Sequence, residues 1–174
     1  MHRVAVFGNA GGGKSTLSKR LAEITGLPLI PLDLMQYRPG GEEVPHAEFK
    51  AAHDALLQQD RWIVDGFGSL DTVWERLDAA DTLVYLDMPM LQHYWWVTKR
   101  FIKSMWVLPE GWPENSPLLK STLNSYNTVW LCHQKLTPKY RIYVEAAKAT
   151  KQVYHLRSPQ EVKLFWQTIA TFEE

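Results

Sequence analysis

Residues 8–15 read Gly8-Asn9-Ala10-Gly11-Gly12-Gly13-Lys14-Ser15 and match the pattern G-x-x-x-x-G-K-[ST] at every fixed position. A loop of this composition leaves its N–H groups uncovered, so they can form a concave nest round a diphosphate. The helix that such a loop opens adds the positive end of its dipole. Lys14 is then placed for the β- and γ-phosphates, the Ser15 hydroxyl for Mg²⁺, and Thr16 for the helix's first turn. A nucleoside triphosphate site over these residues is the first expectation.

The motif carries meaning only between a strand and a helix, and both are legible. Arg3-Val4-Ala5-Val6-Phe7 is an apolar run of β-formers, as a buried parallel strand requires. After the loop, Leu17, Leu21 and Ile24 recur at helical spacing, while Lys19, Arg20 and Glu23 take the other face. Gly26 stands where a left-handed C-terminal residue belongs, with Pro28 just beyond.

Strands and helices go on alternating, which predicts an α/β fold with a parallel sheet covered on both faces. Residues 28–32 read as a second strand ending at Asp33, and Phe49, Ala52 and Leu56 mark a helix over about 46–59. Trp62-Ile63-Val64 is a third strand ending at Asp65-Gly66, followed by a helix over about 70–80 with Val73, Trp74 and Leu77 inward. Residues 82–86 form a fourth strand ending at Asp87, and residues 152–156, after a long helical region, a fifth. The last helix opens on Ser158-Pro159-Gln160-Glu161, a capping box with proline at its first position, and Val162, Phe165, Trp166 and Ile169 form its apolar face.

Three carboxylates thus fall at carboxyl ends of strands, the edge of an open α/β sheet where ligands bind. An acid after an apolar strand is also an ordinary turn or cap residue. Asp87, followed by Met88-Pro89, reads as structural. Asp33 and Asp65 read as functional, and Asp65, beside the unobstructed Gly66-Phe67-Gly68 backbone, is placed to hold Mg²⁺ directly or through water, or to orient an acceptor.

These segments, in this order, resemble the adenylate kinase-like P-loop kinases. The carrying residues are the phosphate loop, Leu32-Asp33 with Tyr37-Arg38-Pro39-Gly40, the 60–66 segment ending Val64-Asp65-Gly66, Arg76-Leu77 with Ala80-Asp81-Thr82, Leu86-Asp87-Met88-Pro89, and the 151–158 segment ending Leu156-Arg157-Ser158. Within the family the chain is most similar to the branch labelled DNA topology modulation protein or adenylate kinase-related protein, over residues 3–100 and 138–170. The resemblance implies a P-loop NTPase three-layer sandwich with a five-stranded parallel sheet, in a single domain over residues 1–174. It implies a small acceptor-side insert at 33–61 and a short helical lid at about 100–137. It further implies ATP and Mg²⁺ as cofactors and transfer of the γ-phosphoryl group to a small-molecule or nucleotide acceptor. Lys14 and Asp65 would act in catalysis, and Asp33, Tyr37, Arg38, Gly66 and Arg76 would line the acceptor side.

The chain departs from the family in two places. Gly66-Phe67 is followed by Gly68-Ser69 in place of Pro-Arg, so the arginine that grips a monophosphate is missing from its usual position, which argues against adenosine monophosphate. Arg76 either substitutes for it or is a solvated helix-surface arginine. The second departure is the absence of arginine between Arg100 and Arg141, where phosphoryl transfer needs cations to stabilise charge on equatorial oxygens. Arg100 and Arg141 flank the apolar segment 106–113, and each reads equally as a transition-state cation or a helix-surface charge.

The remaining features exclude more than they assign. Nineteen basic residues balance nineteen acidic ones, which leaves no field for nucleic acid or anionic lipid and selects no oligomeric state. Cys132, the sole cysteine, rules out an intramolecular disulfide and reads as a small buried hydrophobe in a cytoplasmic protein. The opening apolar run ends at Gly8, too soon for a secretory leader, and no stretch has the length of a membrane span. The six histidines show no zinc-type spacing. Tyr94, Trp95, Trp96, Phe101 and Trp106 are expected in the core more than as a stacking platform. Thr98-Lys99-Arg100-Phe101 lacks the aspartate of a guanine reader, and no strand ends in the Asp-Glu of a motor ATPase. Two readings stand: an ATP- and Mg²⁺-dependent phosphotransferase, and an ATP-binding regulator of the same fold.

Overall fold

The computed structural model of the chain describes residues 1–38, 42–104 and 118–170, without the side chains of residues 100, 104 and 118–121. Five parallel strands form one sheet in the order β2-β3-β1-β4-β5: β1 (Arg3–Gly8), β2 (Leu29–Pro31), β3 (Trp62–Asp65), β4 (Thr82–Leu86) and β5 (Gln152–Leu156). β1 lies in the centre, with Val4 opposite Ile63 of β3 on one side and Thr82 of β4 on the other. The three inner strands are buried over most of their length and mainly apolar because both of their faces are covered, whereas the edge strands β2 and β5 are only half-buried.

Period-two alternation divides the core into two layers. Ala5, Phe7, Val64, Leu83 and Tyr85 point to one face, where they meet α4 (Leu70–Ala79) through Val73 and Leu77 and α7 (Thr137–Ala147) through Tyr140 and Val144. Val4, Val6, Ile63, Val84 and Leu86 point to the other face and meet α1 (Lys14–Thr25) through Leu17 and Leu21 and α8 (Pro159–Ala170) through Phe165 and Ile169. Burial of each such side chain contributes about 1.5–3 kcal/mol, so the sheet cannot slip by one residue without exchanging the two layers. This is the expected three-layer α/β sandwich.

Several expected elements differ in extent. The second strand ends at Pro31, and Leu32 opens the short helix α2 (Leu32–Gln36), so Asp33 lies in a helical first turn instead of ending the strand. Proline donates no ladder hydrogen bond and suits the residue before a helix, which explains the early break. The insert continues through an isolated bridge between Tyr37 and Glu43 into α3 (His46–Leu57), whose Phe49 and Leu56 are buried. Ser158 and Glu161 do cap α8, with the Glu161 carboxylate reaching the Arg157 N–H at 2.7 Å.

α5 (Met90–Ser104) and α6 (Leu118–Lys135) form a helical hairpin, joined by Thr98 and Tyr126 hydroxyls 2.5 Å apart. Residues 105–117, which include the apolar segment with Trp106 expected as a lid, lie outside the described residues, as does Pro39-Gly40 of the expected insert. Trp95 is 62% exposed, against the core expectation: α5 turns His93 and Val97 inward, four residues apart, and Trp95 lies between them on the outer side. Cys132 is partly buried against the first core layer, and burial raises its thiol pKa. Among the described residues, no helix is long and apolar enough to cross a membrane.

Candidate active site

The carboxyl end of β1 delivers the phosphate loop. Gly8 has φ 143°, and a Cβ there would collide with the Leu86 carbonyl of β4, so only glycine lets the two strands close round the loop. α1 starts at Gly13 with no side-chain cap and no acid in its first turn. Its first N–H groups are therefore left without the internal partners a helix end normally acquires, which suits an external anion. Lys14 Nζ rests on the Asn9 carbonyl at 2.9 Å. The Asn9 side chain accepts from the Ala10 N–H at 2.7 Å and donates to the Val129 carbonyl of α6 at 2.9 Å.

Asp65, at the end of β3, is 4% exposed and accepts from the Ser15 hydroxyl. Burial raises its pKa, the Lys14 charge and the Ser15 bond oppose that rise, and the Asp33 carboxylate adds to it. Lys14, Ser15 and Asp33 are thus each close enough to act on Asp65. Asp65 Oδ1 is buried without a protein partner. An unsatisfied carboxylate oxygen beside a hydroxyl is the hard-oxygen donor set that Mg²⁺ takes, so these residues fit the ion. Gly66, at φ 116°, lets α2 come near: a Cβ there would stand 3.1 Å from Leu32 Cβ and 3.5 Å from Asp33 Oδ1.

Of the other acceptor-side residues, Tyr37 and Arg38 are exposed, whereas Arg76 is less open than expected. Arg76 is neither solvated nor directed outward: it is 0% exposed and donates through Nη2 to the carbonyls of Gly66 at 3.1 Å and Phe67 at 3.2 Å. Burial lowers its pKa to about 10, against the favourable fields of Tyr140 and Asp65. It holds the 66–68 turn from below. Arg38 pairs with Glu48 at 3.1 Å on the surface, and burial together with Glu43 and Asp33 raises the Tyr37 pKa.

Asp87 has the structural place expected of it, with partners that no local pattern indicated. Arg141 of α7 grips it through two bonds of 2.7 and 3.0 Å, and His155 Nε2 of β5 lies 2.9 Å away. Burial alone would raise the Asp87 pKa, but Arg141 and His155 outweigh it and hold the carboxyl below its usual range. Arg141 is therefore engaged at the β4–β5 end of the sheet. The backbone of Arg100 continues α5, while its side chain lies outside the described atoms.

On the β4–β5 side, a cleft of about 330 Å³ opens beside Gly12, Gly13 and Thr16. Its far wall is apolar, with Met88, Trp96 and Val162, and Trp166, whose ring carries the Arg20 guanidinium 4.5 Å from its centroid. Two indole rings thus line the cleft next to the phosphate loop. Trp96 and Trp166 are both partly buried and pack against the second core layer, as the core expectation for Trp96 has it.

Two residues, His93 and Trp166, and one partner of the expected Asn9 escaped the sequence. His93 Nδ1 sits 2.9 Å from the Ala10 carbonyl oxygen, Asn9 reaches Val129, and Trp166 joins the cleft from the last helix. The first two contacts span 83 and 120 residues, beyond the range of any spacing rule.

No protein-family model matches the chain, and no curated protein matches it significantly. Among solved structures, a shikimate kinase from Acinetobacter baumannii, in complex with shikimate, is similar with a TM-score of 0.62 at 16% identity. The similarity covers 99% of this chain and 93% of that one, so the two share their fold from end to end.

Proposed function

We propose that the chain is a phosphotransferase that binds ATP with Mg²⁺ and passes the γ-phosphoryl group to a small acceptor. The observation that carries this reading is the convergence of Lys14, Ser15, the buried Asp65 and Asp33 at one end of an uncapped phosphate loop. A protein that only held nucleotide would need the loop and the base cleft. It would have no use for a second carboxylate, Asp33, beyond Asp65 on the side away from the base. The shikimate kinase fold, seen there with a small molecule bound, supports the same reading.

In this assignment the loop N–H groups and Lys14 bind the polyphosphate, and the base stacks between Trp96 and Trp166. Ser15 and Asp65 hold the metal, which when bound supplies charge neutralisation at the phosphate oxygens. Asp33, with Tyr37, Arg38 and the Gly66 backbone, orients the acceptor, and Arg76 keeps the 66–68 turn in place beneath it. Arg100 remains the candidate for transition-state stabilisation. Arg141 must release Asp87 before it can take that role.

The test is ATP consumption with a panel of small hydroxylated and phosphorylated acceptors. Acceptor-dependent turnover above the basal rate is the expected outcome. Lys14→Ala should lose ATP affinity at least tenfold, as befits a charge-assisted contact to phosphate, with the fold intact by circular dichroism. An unchanged affinity in that variant would sink the assignment. Tight ATP binding without turnover on any acceptor would leave the regulator.

A further inference from the structure

We propose that His93 is a positioning residue for the phosphate loop, holding Ala10 and Gly12 so that the loop N–H groups face a bound polyphosphate. The inference rests on the nucleotide-binding reading above. Its basis is the meeting of three contacts on one imidazole ring, contributed by α5 and nowhere near the loop in sequence.

The first contact is the 2.9 Å bond between Nδ1 and the Ala10 carbonyl. A carbonyl only accepts, so Nδ1 is the protonated nitrogen and donates. In a nest of successive N–H groups, fixing the carbonyl of one peptide on the outside fixes the N–H of that same peptide toward the inside, because the peptide unit is planar. The second contact is with Gly12, where a Cβ would stand 3.0 Å from His93 Cε1. The ring is therefore the floor on which the middle of the loop lies. The third is with Trp96, which meets the ring edge-on at 6.1 Å and 89° and goes on to line the base cleft. One side chain thus touches the phosphate loop and backs the wall of the cleft.

The ring is 1% exposed, and the charged groups facing it are Lys14 from the loop and Asp87 from the end of β4. Burial, with the Lys14 ammonium, lowers its pKa to about 4, so near neutrality it is the uncharged imidazole that donates to Ala10. A site held in its bound geometry before the ligand arrives loses less free energy on ordering, which is the benefit assigned here to His93.

The experiment is calorimetric titration near neutral pH of wild type, His93→Phe and His93→Asn with tripolyphosphate, a non-hydrolysable ATP analogue, and adenosine. His93→Phe keeps the ring volume and loses the donor, whereas the amide of His93→Asn replaces Nδ1–H. We expect His93→Phe to bind tripolyphosphate and the analogue about tenfold more weakly, the scale of one well-oriented hydrogen bond, with adenosine unaffected, and His93→Asn to recover most of the loss. Equal tripolyphosphate affinity in His93→Phe and wild type, or a parallel loss of adenosine, overturns the proposal. Should His93→Phe not fold, the wild-type His93 ring ¹⁵N resonances decide: they should move with tripolyphosphate, and stationary resonances overturn it. Wild type that binds neither tripolyphosphate nor the analogue removes the nucleotide reading itself, an outcome distinct from a variant that binds as well as wild type.

Discussion

Asp87 shows how much of this site depends on single residues that meet across the chain. Its carboxylate is 3% exposed, which would be unfavourable for a lone charge, and two bonds from Arg141 with one from His155 offset the loss of water. Because its folded pKa is depressed, the stability it contributes is present above the ordinary carboxylate pKa and is lost as pH falls through the folded value. We expect Asp87→Asn to cost roughly 2 kcal/mol in urea unfolding near neutrality, with the gap to wild type closing as the pH drops below the carboxylate range. A gap independent of pH would show that packing, not charge, is what the substitution removes. The residues legible in the sequence were those whose chemistry is local: the loop from Gly8 to Thr16, and Asp65 directly after an apolar strand. The pairing of Arg141 and His155 with Asp87, and of Arg76 with the carbonyls it serves, has no local signature, because those partners are set by tertiary packing.

Among the elements, two of the helices that open beside the site begin in opposite ways. α1 begins bare at Gly13, whereas α4 begins at Ser69 with its end closed: the Ser69 N–H donates to Thr72 Oγ1 at 3.1 Å, and the two hydroxyls lie 2.9 Å apart. The closed end suits a helix that must hold Arg76 under the 66–68 turn, and the open end suits one that receives an anion. Thr72→Val nearly conserves shape and leaves the Ser69 N–H without this partner, so it should lower stability by about 1 kcal/mol in denaturant unfolding. A neutral result would mean that solvent replaces the cap. Element order and type were readable from periodicity, because buried parallel strands and amphipathic helices obey different repeats. The break after Pro31 was not, since a five-residue apolar run with proline at each side of its centre fits a strand and a strand-plus-helix equally well.

At the scale of the whole molecule, β1 separates two flanks. The cleft beside the phosphate loop lies toward β4 and β5, and Asp33 with the segment around it lies toward β2 and β3. On the phosphotransferase reading, this order of strands has a kinetic consequence. Each reactant has its own approach from solvent, so neither must leave or arrive before the other. Initial rates measured while both concentrations are varied should give intersecting lines, and each product should compete only with the reactant whose flank it occupies. Parallel lines would require a phosphorylated enzyme intermediate, and a compulsory sequence would require one flank to be built by occupation of the other. A sheet that puts its phosphate loop on the middle strand thus favours random addition, a property of traffic that follows from topology before any side chain is considered.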